Sequence, residues 1–463
     1  MITALTDHYR CPDEFLPLEL TGPLSADVGY FQFGEDAICY GRSVSGFRAH
    51  DVGPQLYCAS HDVRNNGSAV LFPFDPTEII NNLRCERYVR HANWSELTAG
   101  SRWARNLYYL VRPWLSVGVR KHLQRTYIRG WKNIAFPRWP VDTSVEQISE
   151  QVLLRSMKAQ GIERVPFIWF WPGGAQGCVL MTHDVEAQIG HDGCRQLMSL
   201  DEEFDIKASF QIVPEGSYKV DDSLLEEIRD RGFEVNVQDL NHDGRLFSSK
   251  AEFLRRVPKI NEYGRAYQAS GFRGAVLYRN LDWYSALEFS YDMSVPNVAH
   301  VDPQRGGCCT VFPYAVGNLM EIPLTTTQDY MLFQLLGEYS LDLWKAQARL
   351  VLAKSGLLSF LIHPDYIAEN RARDVFRELL AFLRELRSQR PLWFACPGEV
   401  DRWWRTRSQL RLTRHAGQWR IEGPGAERAV LAFAKVSADR LEYEVHAGPR
   451  VMEEGGAQST VSR

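Results

Sequence analysis

The 463-residue sequence has no uninterrupted apolar run of the length, roughly eighteen residues, that a membrane-spanning helix requires. Its opening, MITALTDHYRCPDEF, lacks the basic start and apolar core of a secretory leader, which predicts a cytoplasmic protein. Its nine cysteines, at positions 11, 39, 58, 85, 178, 194, 308, 309 and 396, form neither a CxxC zinc pattern nor an even, regularly spaced disulfide framework. A reducing compartment follows as the expectation. Charge of one sign is also scarce: a formal net charge of −4 gives no global reason for nucleic-acid binding. With 45% hydrophobic and 24% charged residues, the chain is neither disordered nor fibrous, and its length predicts about two or three folded domains.

Residues 1–100 mix short apolar runs, such as Ala69-Val70-Leu71-Phe72, with Gly, Pro and Asn punctuation, which predicts an irregular, strand-rich domain. Residues 101–165 read as a basic, aromatic helical connector. From Ser101 to Pro140 there are nine Lys or Arg and no Asp or Glu, interleaved with Trp103, Tyr108, Tyr109, Trp114, Trp131 and Trp139. Such a stretch fits peripheral contact with the inner face of an anionic membrane, or packing on a neighbouring domain with Pro113 as a break. Residues 166–400 alternate short apolar strands (GCVLM, ASFQIV, FEVNV, GLLSFLI) with amphipathic helical segments, which predicts parallel strands joined by crossovers in an open sheet or a barrel. Residues 401–463 read as a small antiparallel β appendage and a tail.

In parallel α/β folds, ligands gather at the carboxyl ends of strands. Four expected strand ends here carry Thr182-His183-Asp184-Val185-Glu186, Gln238-Asp239-Leu240-Asn241-His242, Arg273, and His363-Pro364-Asp365-Tyr366. Asp184 and Glu186 are two residues apart, so an extended chain points both to one side, one to bind a divalent metal and the other to deprotonate water. Gln238 and His242 stand four apart, which on a helical turn places both on one face. A histidine pair there would make half a zinc site; Gln238 offers only a neutral amide oxygen. Taken singly, each of these residues has a bland reading as cap, core hydrogen-bonder or surface ion pair. Their joint placement at successive strand ends favours a site.

These segments resemble, in order, the motifs of the NodB-homology polysaccharide deacetylases, carbohydrate esterase family four, over residues 175–400. THDVE resembles the first motif, QDLNH the second, GFRG the third, the neighbourhood of Glu321-Ile322-Pro323-Leu324 the fourth, and SFLIHPDY the fifth. The resemblance implies a deformed (β/α) barrel holding a divalent metal, usually zinc. It implies one of Asp184 and Glu186 as base and the other as metal ligand, with Asp184 the favoured base and Glu186 the favoured ligand. His242 and, in the place of a second histidine, Gln238 complete the metal set, with Arg273 orienting the base, His363 as acid and Leu361 lining an acetyl-sized pocket. Two departures from the family pattern stand out: Asp184-Val185-Glu186 replaces an adjacent Asp pair, and Gln238 occupies the place of the second motif's first histidine. Trp283 and Tyr314 are candidates to stack on a sugar ring, or core residues.

The resemblance implies a metal-dependent hydrolase that removes an N-acyl group, acetyl above all, from an amino sugar in a polysaccharide or its cytoplasmic precursor. A membrane-associated deformylase of lipid-linked sugars, docked through 101–140, is an alternative. So is a metal-depleted pseudoenzyme that binds glycan or a partner protein in the same cleft.

Overall fold

The computed structural model describes residues 3–47, 49–67, 69–90, 126 and 130–446. The basic aromatic stretch, apart from 126 and 130–140, lies outside the described residues. Among the described residues no helix is long and apolar enough to cross a membrane.

The N-terminal module carries β1 (Leu18–Leu20), β2 (Gly29–Phe33), β3 (Ala37–Gly41), β4 (Arg64–Asn65) and β5 (Val70–Phe72), as a β2-β3 hairpin and a small β1-β5-β4 sheet. Phe31, Phe33, Phe72 and Phe74 fill its centre. Its helix Pro76–Arg84 begins on Asp75, whose side chain accepts from Thr77 N and satisfies one of the free amides of the first turn. A long helix, Ser144–Gln160, then leads into β6 (Arg164–Ile168).

The main sheet is built from β7 (Cys178–Val185), β8 (Ala208–Ile212), β9 (Glu234–Gln238), β10 (Gly271–Arg273), β11 (Tyr291–Asp292), β12 (Tyr314–Val316), β13 (Leu319–Glu321), β14 (Leu357–Ile362) and β15 (Trp393–Phe394). Its order is β12-β13-β11-β10-β9-β8-β7-β14, parallel throughout except for β12. β15 lies beside the first residues of β7 on the side that β8 takes further along. Helices such as Gln188–Glu203, Asp222–Asp230, Lys250–Ala266 and Asn370–Gln389 connect the strands, as parallel pairing demands. The architecture is a deformed (β/α) barrel: a curled sheet that does not close by a strand ladder. Across the gap beside β14, Thr325 Oγ1 donates to Leu357 O at 2.7 Å and accepts from Ser359 N at 2.9 Å, and Thr326 Oγ1 donates to Ser359 O at 2.7 Å. Threonine side chains thus stand in for the missing strand.

Strand alternation divides the barrel's two faces. Outward residues such as Met181, Phe210, Val235, Val237, Phe360 and Ile362 are buried among the helices. His183 also points outward, with Nε2 2.8 Å from Asp201 Oδ2, and is a core residue. Among the inward positions Thr182, Asp184, Ser209, Gln211, Asn236, Gln238 and Arg273 are polar and buried, while Leu180 and Leu361 are apolar. A buried interior lined this way carries a structural cost unless each group is hydrogen-bonded.

At the C-terminus, β16 (Arg411–His415) and β17 (Gln418–Glu422) form a hairpin, and β18 (Leu431–Ser437) pairs with both β19 (Arg440–Val445) and β6. β6, from ahead of the main sheet, is thus the third strand of that C-terminal sheet.

Candidate active site

β7 delivers Asp184 and, one residue past its end, Glu186; β9 ends on Gln238; β10 ends on Arg273; β14 ends just before His363. Parallel neighbours put these ends on one rim. Arg273 donates through Nη1 to Asp184 Oδ1 at 2.5 Å and to Thr182 Oγ1 at 2.9 Å, while its Nε is fixed on Met293 O at 3.1 Å. The guanidinium therefore locks one oxygen of Asp184. The other, Oδ2, accepts from Gln238 Nε2 at 3.1 Å, and the same amide donates to Glu186 Oε1 at 3.0 Å. His242 Nε2 lies 2.8 Å and His363 Nε2 3.5 Å from Glu186 Oε1.

The sequence-based expectation of a helical turn from Gln238 to His242 is corrected by this structure. Gln238 is still in the strand, and Asp239 (φ 50°) and His242 (φ 56°) adopt left-handed backbone that swings the imidazole back over Glu186. That loop is tied down by Asp239 N on Arg273 O at 2.9 Å and by Arg256 Nη1, which reaches Asn241 Oδ1 at 3.1 Å and Asp243 Oδ1 at 2.8 Å.

His363 has a partner that the sequence reading missed. Asp329 Oδ1 lies 2.6 Å from His363 Nδ1, and Asp329 Oδ2 accepts from the His363 backbone N at 2.8 Å. With Nδ1 so engaged, Nε2 is left on the Glu186 side, 3.5 Å from Oε1. The signal was the polar run Thr325-Thr326-Thr327-Gln328-Asp329 directly after EIPL.

The charges are mutually arranged. Burial raises the Asp184 carboxyl, and Arg273 and His363 only partly oppose it. Burial also works to raise Glu186, but His242 and His363 outweigh it and hold this carboxyl well below its usual range. For His363, burial works against the charged ring; Asp329 and Glu186 overcome it and push the imidazole well above its ordinary value. Asp239 is raised to about 6 by burial.

Leu361 is paired in register with Thr182, two residues before Asp184, so it faces the same interior. It packs with Leu277 and Leu324 as an apolar trio separate from the main core. Leu277 reaches it from a tight loop after Arg273. A Cβ on Gly274 would stand 2.3 Å from Tyr278 O, so only glycine permits that turn. Val276 (φ 59°) and Leu277 (φ 54°) both take left-handed backbone, a conformation that costs about 1–2 kcal/mol per residue. Tyr314, expected as a stacking candidate, is instead a core residue: its ring is buried and its hydroxyl donates to Arg84 O at 2.9 Å. Trp283 is half-buried and stacks on Phe247 with centroids 6.2 Å apart.

Asp184, Glu186 and His363 each offer a ligand atom within 4.8 Å of the others, the group of this kind found among the described residues. His242 adds a nitrogen at 2.8 Å from Glu186. Gln238 Oε1 is buried without a hydrogen-bond partner, while its Nε2 sits between two carboxylates as a small cation would. A half-turn of that amide exchanges the two atoms and offers the orphan oxygen to a cation. The donor set of carboxylate, imidazole and amide oxygen fits a divalent ion.

No protein-family model and no curated protein matches the chain. Among solved structures, a Mycobacterium smegmatis protein assigned as a polysaccharide deacetylase is 16% identical, with a TM-score of 0.42 over 54% of this chain and 97% of its own. A Puue allantoinase is 14% identical, with a TM-score of 0.38 over 50% of this chain and 92% of its own. A Pseudomonas aeruginosa PAO1 protein, also assigned as a polysaccharide deacetylase, is 13% identical with the same score and coverages. The structural neighbours of this chain thus include proteins assigned as polysaccharide deacetylases, at low identity and over about half of its length.

Proposed function

We propose that the protein is a metal-dependent hydrolase that removes an N-acyl group, acetyl in the first instance, from an amino sugar of a polysaccharide or its precursor. The observation that carries this reading is the convergence of Asp184, Glu186 and His363, with ligand atoms within 4.8 Å, each oriented by a second buried group.

Amide hydrolysis needs a base for the attacking water, stabilisation of the oxyanion and a proton for the departing amine. Asp184 supplies the base: Arg273 fixes one oxygen, Gln238 Nε2 holds the other on the Glu186 side, and burial raises its proton affinity. His363 supplies the proton: Asp329 holds Nδ1, so Nε2 is the atom that gives it up. Leu361, with Leu277 and Leu324, supports the acyl methyl on an apolar surface. A divalent ion held by Glu186, His242 and the Gln238 carbonyl oxygen would polarise the acyl carbonyl and acidify water. Zinc suits the imidazole, and the two oxygen donors suit harder ions as well.

A second reading, a metal-free cleft that binds glycan or a partner protein, is favoured by one observation: the Gln238 amide already bridges both carboxylates. Acetate release from N-acetylated amino-sugar oligomers, with divalent metal supplied, separates the two. The expected result is turnover by the wild type and a loss of at least about 10²-fold in Asp184→Asn, the lower bound for removing a general base. No release, or equal release from both proteins, overturns the hydrolase reading.

A further inference from the structure

The N-terminal module is not a separate appendage to the site. Glu86 follows that module's helix Pro76–Arg84, is buried, and takes a left-handed backbone (φ 53°). Its carboxylate receives Arg279 in a two-pronged grip: Nε donates to Oε2 at 2.7 Å and Nη2 donates to Oε1. The Arg279 side chain is fully buried, and its remaining nitrogen, Nη1, donates to Leu277 O at 2.9 Å. Arg279 is further fixed by Gln304, whose Oε1 accepts from Arg279 N at 3.0 Å and whose Nε2 donates to Arg279 O at 3.1 Å. Glu86 Oε1 also accepts from Gly307 N at 2.6 Å, and a Cβ on neighbouring Gly306 (φ 126°) would stand 2.4 Å from that same oxygen. The sequence is shaped to admit this carboxylate.

The far end of this chain of contacts is the left-handed pair Val276-Leu277. Such a conformation in non-glycine residues, one of them β-branched, persists only where surrounding contacts over-determine it. Arg279 holds the Leu277 carbonyl, and Leu277 in turn completes the apolar trio beside the Asp184 strand. A bidentate guanidinium–carboxylate pair, planar and buried, fixes orientation as well as charge.

We propose that Glu86 is a positioning residue: through Arg279 it holds Leu277 against Leu324 and Leu361, so that the N-terminal module sets how large an acyl group the site accepts. This rests on the hydrolase reading above for its catalytic half. Its structural half stands on the Glu86–Arg279–Leu277 contacts alone.

The test uses the full chain, with Glu86→Gln and Arg279→Lys beside the wild type. Each variant removes the two-pronged ion pair while keeping a polar group of similar size, and the second keeps the charge as well. Two quantities are read: hydrogen exchange of amides 275–280, and hydrolysis of N-acetyl against N-butyryl glucosamine oligomers as separate kcat and KM values. Both variants are expected to exchange about tenfold faster over 275–280 and to narrow the preference for acetyl by a similar factor, mainly through KM. A merely structural role would lower kcat for both substrates alike and leave that preference unmoved. Unchanged exchange in both variants, or faster exchange with an unaltered acyl preference, overturns the proposal. If the wild type hydrolyses neither substrate, the hydrolase reading falls together with the acyl-size role. The exchange arm then decides the Glu86 clamp by itself. Should Glu86→Gln fail to fold, Arg279→Lys answers both questions.

Discussion

Replacing Asp329 by Asn isolates the contribution of the His363 partner. Asp329 is fully buried and accepts from three N–H groups: His363 Nδ1 at 2.6 Å, His363 N at 2.8 Å and Tyr330 N at 2.7 Å. An asparagine has one acceptor oxygen, so its NH₂ must face at least one of these donors. A buried donor left unsatisfied costs about 1–3 kcal/mol, and the lost charge-assisted bond to the imidazole roughly doubles what a neutral bond would forfeit. If about 3–4 kcal/mol of this is felt when the ring carries its proton, kcat falls by roughly 10²–10³-fold, at 1.36 kcal/mol per decade. The assay compares an N-acetylated amino-sugar oligomer with p-nitrophenyl acetate. The first leaving group needs a proton and the second does not, so the ester should lose less than about tenfold while the amide loses the full factor. Equal losses on both substrates, or an amide kcat within about threefold of wild type, would refute the role given to the Asp329–His363 pair.

Thr325→Val should destabilise the fold by about 2–4 kcal/mol in urea unfolding, because it strips partners from two buried backbone groups, Leu357 O and Ser359 N, at the unclosed side of the barrel. A loss under about 1 kcal/mol would mean that the threonines do not substitute for a strand. Glu146, buried beneath Thr310 and Val311, is raised by that burial to about 7, so the folded protein holds its proton more tightly than the unfolded chain. The stability this confers is complete below the unfolded value of 4.5 and is lost as pH rises through about 7, a change of about 3 kcal/mol at 1.36 kcal/mol per unit. Glu146→Gln should flatten that pH dependence in unfolding measured between pH 5 and 8; an unaltered slope would assign it to other groups.

Much of the site was legible because strand ends leave local marks. The apolar runs GCVLM, FEVNV and GLLSFLI announce their strands, and the polar residues just beyond them fall where a parallel sheet gathers its ligands. What escaped was set by contacts distant in sequence. Asp329 finds His363 34 residues away, after a segment with no strand of its own, and Glu86 finds Arg279 193 residues away. The spacing of Gln238 and His242 suggested a helix because a period of four is a helical cue; two left-handed residues produce the same proximity by another route. Tyr314 stayed open between a sugar-stacking ring and a core residue because aromatic residues look alike in sequence whether they meet a ligand or, as here, a backbone carbonyl in the core. The barrel's closure by threonine hydroxyls has no periodic signature at all.

Gln238 remains the residue on which the account turns. The most direct measurement is the metal content of the purified protein by elemental analysis after equilibration with zinc, for the wild type, Glu186→Ala and Gln238→His. The account expects about one equivalent in the wild type, little in Glu186→Ala, and one more tightly held in Gln238→His, since imidazole is the better zinc ligand. If the wild type holds none while Gln238→His holds one, the amide that bridges Asp184 and Glu186 has replaced the cation, and the proposal of a metal-dependent hydrolase is contradicted.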